Sequence, residues 1–350
     1  MCCVGCSSNG TWGDEKWTEE AIFLEGEDVY VDQTIWNEGD LIFLDDYVIF
    51  ENAHDGKLFS LYAMMNDSLK LIGDFLTRGR GPFELMDADI YYLKNDNMLM
   101  LVGYNMLGKS IAIPLHNIEN VLNTETWIEI DYGRNPIRAY YMHPIKDSVF
   151  IMQIFEECNN MFAIFNVDEN LSKHYLNILY PDNQSIINGI KGDAYHGWTV
   201  KHPTRNQYVY SNMNSQYVKI FTLDDNNALI DEIVVFDQIP LYDIDVTNRK
   251  VKITGHPQDG LQICVSERFI YYADPKIDLM NRQQSIARNG FLPGYFKEIY
   301  VSDWDGIPLA KYVLDRPVCY LQSDPNDKYL YAFYLQESSY EPMMVRFSRP

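Results

Sequence analysis

Arg78-Gly79-Arg80-Gly81-Pro82-Phe83-Glu84, followed by Ile90-Tyr91-Tyr92-Leu93 and Met98-Leu99-Met100-Leu101, is the stretch on which the architecture turns. A glycine-punctuated basic loop between apolar β-type runs reads as a joint between repeated units. The two runs are almost continuously apolar, as expected of strands buried on both faces, and a short polar turn joins them. The same hairpin recurs five more times. Leu41–Leu44 precedes Tyr47–Phe50, Ala139–Met142 precedes Val149–Met152, and Trp198–Val200 precedes Tyr208–Tyr210; Gln262–Val265 precedes Phe269–Tyr272, and Cys319–Leu321 precedes Tyr329–Ala332. Second strands therefore recur every ~51 to ~61 residues, a period that suits propeller blades rather than helical repeats.

A second hairpin follows the first in each unit. In three copies its turn keeps one grammar: Asn166-Val167-Asp168-Glu169-Asn170, Leu223-Asp224-Asp225-Asn226 and Ser302-Asp303-Trp304-Asp305-Gly306. Asp, Asn and Gly tolerate turn dihedrals and bond their own backbone. Two hairpins make four strands, but the last unit ends one strand short after Met343–Phe347. Ala21–Leu24, with Val29–Val31 after it, is spare at the other terminus, and pairing the two ends leaves no long open edge. The expectation is an all-β chain, a six-bladed β-propeller of four-stranded antiparallel blades whose ring is closed by an N-terminal strand in the last blade. A sandwich does not require six equivalent hairpins with a strand supplied from the opposite end.

The chain has 350 residues and a net charge of -22, which argues against nucleic acid or an anionic membrane surface as partner. A chain of this size buries roughly 75% of its unfolded surface and needs no covalent staples. Cys158, Cys264 and Cys319 sit singly in apolar runs and read as small buried hydrophobes, so no disulfide framework is expected. No apolar run reaches the ~18 residues of a membrane-spanning helix. At the N-terminus, Met1-Cys2-Cys3-Val4-Gly5-Cys6-Ser7-Ser8 lacks the regions of a secretory signal, yet a small residue before Cys6 and a polar tether after it resemble the end of a bacterial lipoprotein signal. Cys6 would carry the lipid. That motif usually has Leu at the position of Cys3, and its hydrophobic segment is absent here. A Cys3-x-x-Cys6 thiol pair and uninformative leftover sequence are the competing readings. Residues 1–18 are thus expected to be signal remnant and flexible tether, and 19–350 one propeller domain.

With the repeats in place, Gly79-Arg80-Gly81-Pro82-Phe83-Glu84 resembles the Gly-x-Gly-Pro-Gly-Glu-Phe signature of NHL-like and TolB-like six-bladed propellers, especially lipoproteins of that type in Bacteroides and its relatives. Tyr300–Gly306 through Tyr312–Asp315 also looks like their later-blade pattern. The resemblance covers essentially Glu20 to Phe347. Phe83 departs from it, standing where those proteins carry a third glycine. The resemblance implies a lipid-anchored envelope protein (outer membrane, periplasmic side or surface) and supplies no catalytic residues.

In a propeller the inter-blade connections and the loops joining second to third strands share one face around the channel. That scheme places the long insertions 180–195, 237–258 and 273–295 there, and ligands of repeat proteins usually sit where insertions cluster. Arg78, Arg80, Arg134, Arg138, Arg249 and Arg316 fall in or beside inter-blade connections, with Lys191 and Arg282 in the insertions. A basic ring in an acidic protein would draw an anionic group, and guanidinium forks suit carboxylate or phosphate. Arg78, Arg80, Glu84, Arg138, Lys191, Arg249, Arg282 and Arg316 are therefore the candidate ligand-binding residues. The competing reading is that these arginines tie blade to blade through acidic neighbours such as Asp74, Glu84, Asp131, Asp245 and Asp315. Gly79, Gly81 and Pro82 are explained by a sharp turn alone.

Trp36, Tyr132, Tyr195 and Tyr242 map near the same funnel, where rings could stack on sugars. His143-Pro144 and His202-Pro203 read as turn residues on the opposite face, and Glu156-Glu157 as a solvated loop. No Gly-x-Ser-x-Gly and no clustered metal set occurs, so no catalytic residue, metal or cofactor is assigned. The functional expectation is a monomeric, envelope-anchored, non-catalytic binding or scaffolding module for a small anionic ligand, an oligosaccharide or a protein partner. A glycan- or ester-directed hydrolase or lyase using the same funnel is the alternative, and a purely structural envelope protein the third reading.

Overall fold

The computed structural model describes Trp17 and residues 20–350, apart from residues 67, 104–107, 133–138, 156–157, 170, 183–189, 246, 249, 255–259, 276–294, 337 and 340. Each predicted first hairpin forms, and each begins a blade. In blade 1 the strands Leu41–Leu44, Tyr47–His54, Lys57–Met65 and Ser68–Arg78 are hydrogen-bonded in that order from the axis outward. Blades 2, 3 and 4 repeat the plan over residues 88–131, 139–175 and 197–237.

The long strand Pro308–Ser323 serves two blades. Its first part pairs with Phe296–Ser302 as the outermost strand of blade 5, and its end pairs with Tyr329–Leu335 as the innermost strand of blade 6. Blade 6 is completed by Pro342–Ser348 and, antiparallel to it, by Gly26–Val31, with Gly26 opposite Phe347 and Val29 opposite Met344. The closing strand thus comes from the N-terminus, and Tyr30 and Val31 continue into parallel pairing with Ser68 and Leu69 of blade 1. The run Ile22–Leu24 does not share in the closure. It lies parallel to Tyr312–Leu314 on the outer edge of blade 5 and sends Leu24 into the core between blades 5 and 6.

The core is divided as a ring requires. Six apolar clusters form, one at each contact between neighbouring blades, and the one holding Leu41, Phe43 and Phe50 with Cys319, Tyr331 and Phe333 joins the first blade to the last. Each sheet is therefore buried on both faces, which is why the strands read as apolar runs instead of alternating. Cys264 and Cys319 are buried free thiols in these cores, and Cys158 is a half-buried one. Trp17, inside the segment expected to be a tether, is also core: it stacks on Phe236 at 5.0 Å between blades 4 and 5 and donates its indole N–H to the Val301 carbonyl at 3.0 Å.

The strand Ala139–Lys146 runs past the point where Pro144 was expected to turn the chain, so His143 lies within a strand. An innermost strand has one free edge facing the channel, and proline is tolerated at such an edge because no ladder partner waits for its missing N–H.

Candidate functional site: the central channel

The innermost strands touch one another in ring order, from Leu41–Leu44 of blade 1 round to the end of Pro308–Ser323. They enclose a cavity of about 550 Å³ lined by residues of all six blades. At the end formed by the first-hairpin turns, Lys94 of blade 2 meets Glu267 of blade 5 at 2.6 Å. These blades stand opposite each other, so the pair bridges the channel; Asn95 adds a hydrogen bond to the Thr204 carbonyl of blade 4 at 2.8 Å. The glutamate holds the Lys94 ammonium above its ordinary pKa. The other end, carrying the inter-blade connections, is the mouth.

Carboxylates gather at that mouth. Asp40 immediately precedes the first innermost strand, and Glu51 on the next strand donates its backbone N–H to the Asp40 carbonyl at 3.0 Å. The Asp40 side chain opens onto the channel yet has protein around it, and this enclosure raises its pKa. Enclosure likewise pushes Glu51 up to about 7, reinforced by Asp40 and Asp87 and opposed by Arg78. Gly39 makes the packing possible, since a Cβ there would stand 2.5 Å from the Glu51 Cβ. Glu38 accepts the Tyr295 hydroxyl at 2.6 Å.

Beside these acids the innermost strand of blade 6 is irregular. Its register shifts between Cys319 and Gln322, and Tyr320 within the bulge has φ of +53°, a left-handed value unusual for a large side chain. The ring is exposed to the channel, and its hydroxyl titrates above the usual range through enclosure and the charge of Asp40.

His143 lines the channel deeper in, only 7% exposed, edge-on to the Tyr91 ring at 4.5 Å. Burial and the charge of Lys201 bring its pKa down to about 3, so the ring is neutral at pH 7. The backbone of Thr199 is its hydrogen-bond partner, and Nδ1 is left without one. His202, in the neighbouring connection, is different: its ring nitrogens are engaged by the Glu267 carbonyl, two backbone amides and Arg205.

The sequence-derived candidates stand elsewhere. Arg78 and Arg80 are exposed on the connection between blades 1 and 2, and only Arg78 reaches the mouth, through its charge on Glu51. Glu84 bonds its own loop, its Oε2 accepting the Gly81 N–H at 2.8 Å; a Cβ on Gly79 would lie 2.0 Å from that oxygen. Lys109 and Glu129 of blade 2 hold the same loop, donating to the Gly81 carbonyl and accepting the Phe83 N–H. Phe83 has φ of +53°, so a glycine at this place in the resembling signature suits the backbone.

Arg316 bonds Asp315 and, at 2.9 Å, Asp28 of the closing strand, tying blade 5 to blade 6. Lys191 is buried against Asp182 at 2.5 Å, and the same carboxylate accepts the hydroxyls of Tyr195 and Tyr242. This network welds the short helix Ile190–Ala194 to the hairpin of Tyr242–Asp245 and Lys250–Ile253. Arg134, Arg138, Arg249, Arg282, Glu156, Glu157 and Cys6 lie outside the described residues.

None of the described candidate cations lines the channel. Of the four candidate stacking rings, Tyr132, Tyr195 and Tyr242 are buried; Trp36 is 58% exposed and lies over His54. Asp40, Glu51, Tyr320 and His143 were missed as site residues. The available signal was position: Asp40-Leu41 and Asp87-Ala88-Asp89 place acids where two innermost strands begin.

The family described as TolB-like 6-blade propeller-like matches residues 15–325. The structure of a DUF4221 family member from Bacteroides vulgatus is similar with a TM-score of 0.54 at 13% identity, over 94% of this chain and 97% of that one. The propeller domain of Cps50 (Swd1) from Myceliophteria thermophila has a TM-score of 0.46 at 11% identity, covering 93% and 100% of the two chains. A putative 6-phosphogluconolactonase from Bacteroides fragilis has 0.39 at 13%, covering 88% and 83%. At such identities the likeness is one of fold. No curated protein matches the chain in sequence.

Proposed function

Because the chain belongs to the TolB-like six-blade propeller family, a fold suited to binding or scaffolding, we propose that it is a non-catalytic binding module that takes a small ligand into its central channel. The observation that carries this reading is a cavity of about 550 Å³, lined by all six blades and bridged at one end by Lys94 and Glu267. That volume is in the usual range for small-molecule sites, roughly 300–1,000 Å³. Tethering through a lipid on Cys6 belongs to the same proposal and rests on the sequence alone; Cys6→Ala would then move the protein from the membrane fraction to the soluble one.

Filling the channel tests the reading. Thr199→Trp and Gln322→Trp each add an indole to the lining. Thermal-shift binding of neutral, ammonium-bearing and carboxylate-bearing sugars should be lost in both variants and kept in the double change Arg78→Ala and Arg80→Ala. Binding that survives both indoles but disappears with the double change would return the site to the loop between blades 1 and 2.

A further inference from the structure

Four enclosed lysines of the propeller hold an acid within 3.0 Å: Lys109 meets Glu129, Lys191 meets Asp182, Lys219 meets Glu232 and Lys311 meets Glu298. Lys201 breaks that pattern. It ends the innermost strand Gly197–Lys201 of blade 4, is half-buried and lines the channel. Its ammonium makes neither a hydrogen bond nor an ion pair with any described residue, and Nζ is not sealed from solvent. The acid that acts on it, Asp96 in the first-hairpin turn of blade 2, is exposed and stands beyond ion-pair reach. A cation that has lost part of its hydration is usually compensated by a counter-ion, and here the protein supplies none.

The other charged groups of the wall are committed or stand elsewhere. Lys94 and Glu267 neutralise each other, and Asp45 acts on Lys94. Asp89 accepts the Tyr91 hydroxyl at 3.3 Å, Asp324 accepts the backbone N–H groups of Lys328 and Tyr329, and Asp40 lies at the opposite end. His143 and His202, on both of which Lys201 acts, titrate at about 3 and about 4 and are neutral at pH 7. Among the described lining residues Lys201 is therefore the one cation left without an acid. Tyr92, two residues before Lys94, lines the same cavity, and its hydroxyl is hydrogen-bonded to no described residue.

We propose that the channel binds a small ligand through a carboxylate seated on the Lys201 ammonium, at the end bridged by Lys94 and Glu267, with the Tyr92 hydroxyl donating to a ligand oxygen. The proposal rests on the channel being the binding site and names the chemistry of what enters it. A charge-assisted hydrogen bond supplies the partner that the fold withholds. The acids of the wall decide how much charge can enter, because every added negative charge meets the field of Asp40, Asp45 and Asp89. A singly charged carboxylate suits that wall better than a phosphate.

Glucuronate and glucuronamide share a ring and differ in presenting a carboxylate or a neutral amide at the same carbon. Titration calorimetry of each against the full chain, at pH 7 and low ionic strength, isolates the effect of the charge. The expected result is glucuronate binding at least tenfold tighter than glucuronamide. Lys201→Met should bring glucuronate down to the level of the amide, Lys201→Arg should keep the preference, and Tyr92→Phe should weaken both sugars several-fold. Lys201 has no partner in the fold to lose, so Lys201→Met should not lower the melting temperature, and lost binding is then not lost folding. Equal binding of the two sugars, or a preference that survives Lys201→Met, overturns the Lys201 assignment but leaves the channel as the site, provided the indole-filled variants lose the binding. Inorganic phosphate that binds more tightly than glucuronate and displaces it overturns the choice of a carboxylate. Binding that the indoles do not affect defeats the channel reading itself. Failure of glucuronate to bind at tens of millimolar overturns the proposal.

Discussion

Glu51 shows how a single residue couples the mouth to stability. Its carboxyl is pushed from 4.5 up to about 7 by enclosure and by the neighbouring charges of Asp40 and Asp87. A carboxyl raised in the folded state keeps a proton that the unfolded chain has lost. Its contribution is therefore most favourable below pH 4.5 and declines as pH rises toward 7. Glu51→Gln removes this decline, so the variant should gain on the wild type between pH 5 and pH 8. The side chain is only half-buried, which discounts the effect to about 1 kcal/mol. Melting curves at the two pH values check it, and a difference that does not change with pH would show the carboxyl to be ordinary. Nothing in linear order marks this residue, because Glu51 follows an apolar run whose strand continues through it, and its acidic neighbours come from other segments. The arginines were conspicuous for being rare. Partners account for two of the candidate cations: Arg316 serves a seam, and Lys191 a buried network.

At the scale of elements, six hairpins were legible because each strand is buried on two sides and leaves an unbroken apolar run. Pro144 obscured the full length of one strand, since edge tolerance depends on where a strand sits in its blade. Trp17 was hidden too, as a lone aromatic in a polar tether. It fills the space between blades 4 and 5 against Phe236, Tyr272 and Tyr300. Removing so large a buried ring usually costs about 3 kcal/mol or more. Trp17→Ala should therefore lower the midpoint of urea unfolding with its slope unchanged. An unaltered midpoint would mean that the ring does not dock in solution.

The whole molecule is held by closure. Gly26–Val31 completes blade 6 and carries Val29 into the core shared by the first and last blades. Deleting residues 1–31 would bare the edge of Pro342–Ser348 and open that core. The expected outcome is loss of the monomer peak in size-exclusion chromatography, with aggregation through the exposed strand edge. A soluble monomer with an unchanged melting temperature would place the closure elsewhere. The ring itself was written along the chain. Strand burial, turn chemistry and repeat spacing are local and periodic, and a missing strand at one terminus with a spare at the other needs only counting. Folding alone settled the charge of the channel. Its wall takes one short strand from each blade, about 50 residues apart, and nothing in linear order brings Asp40, Tyr320 and His143 to one cavity.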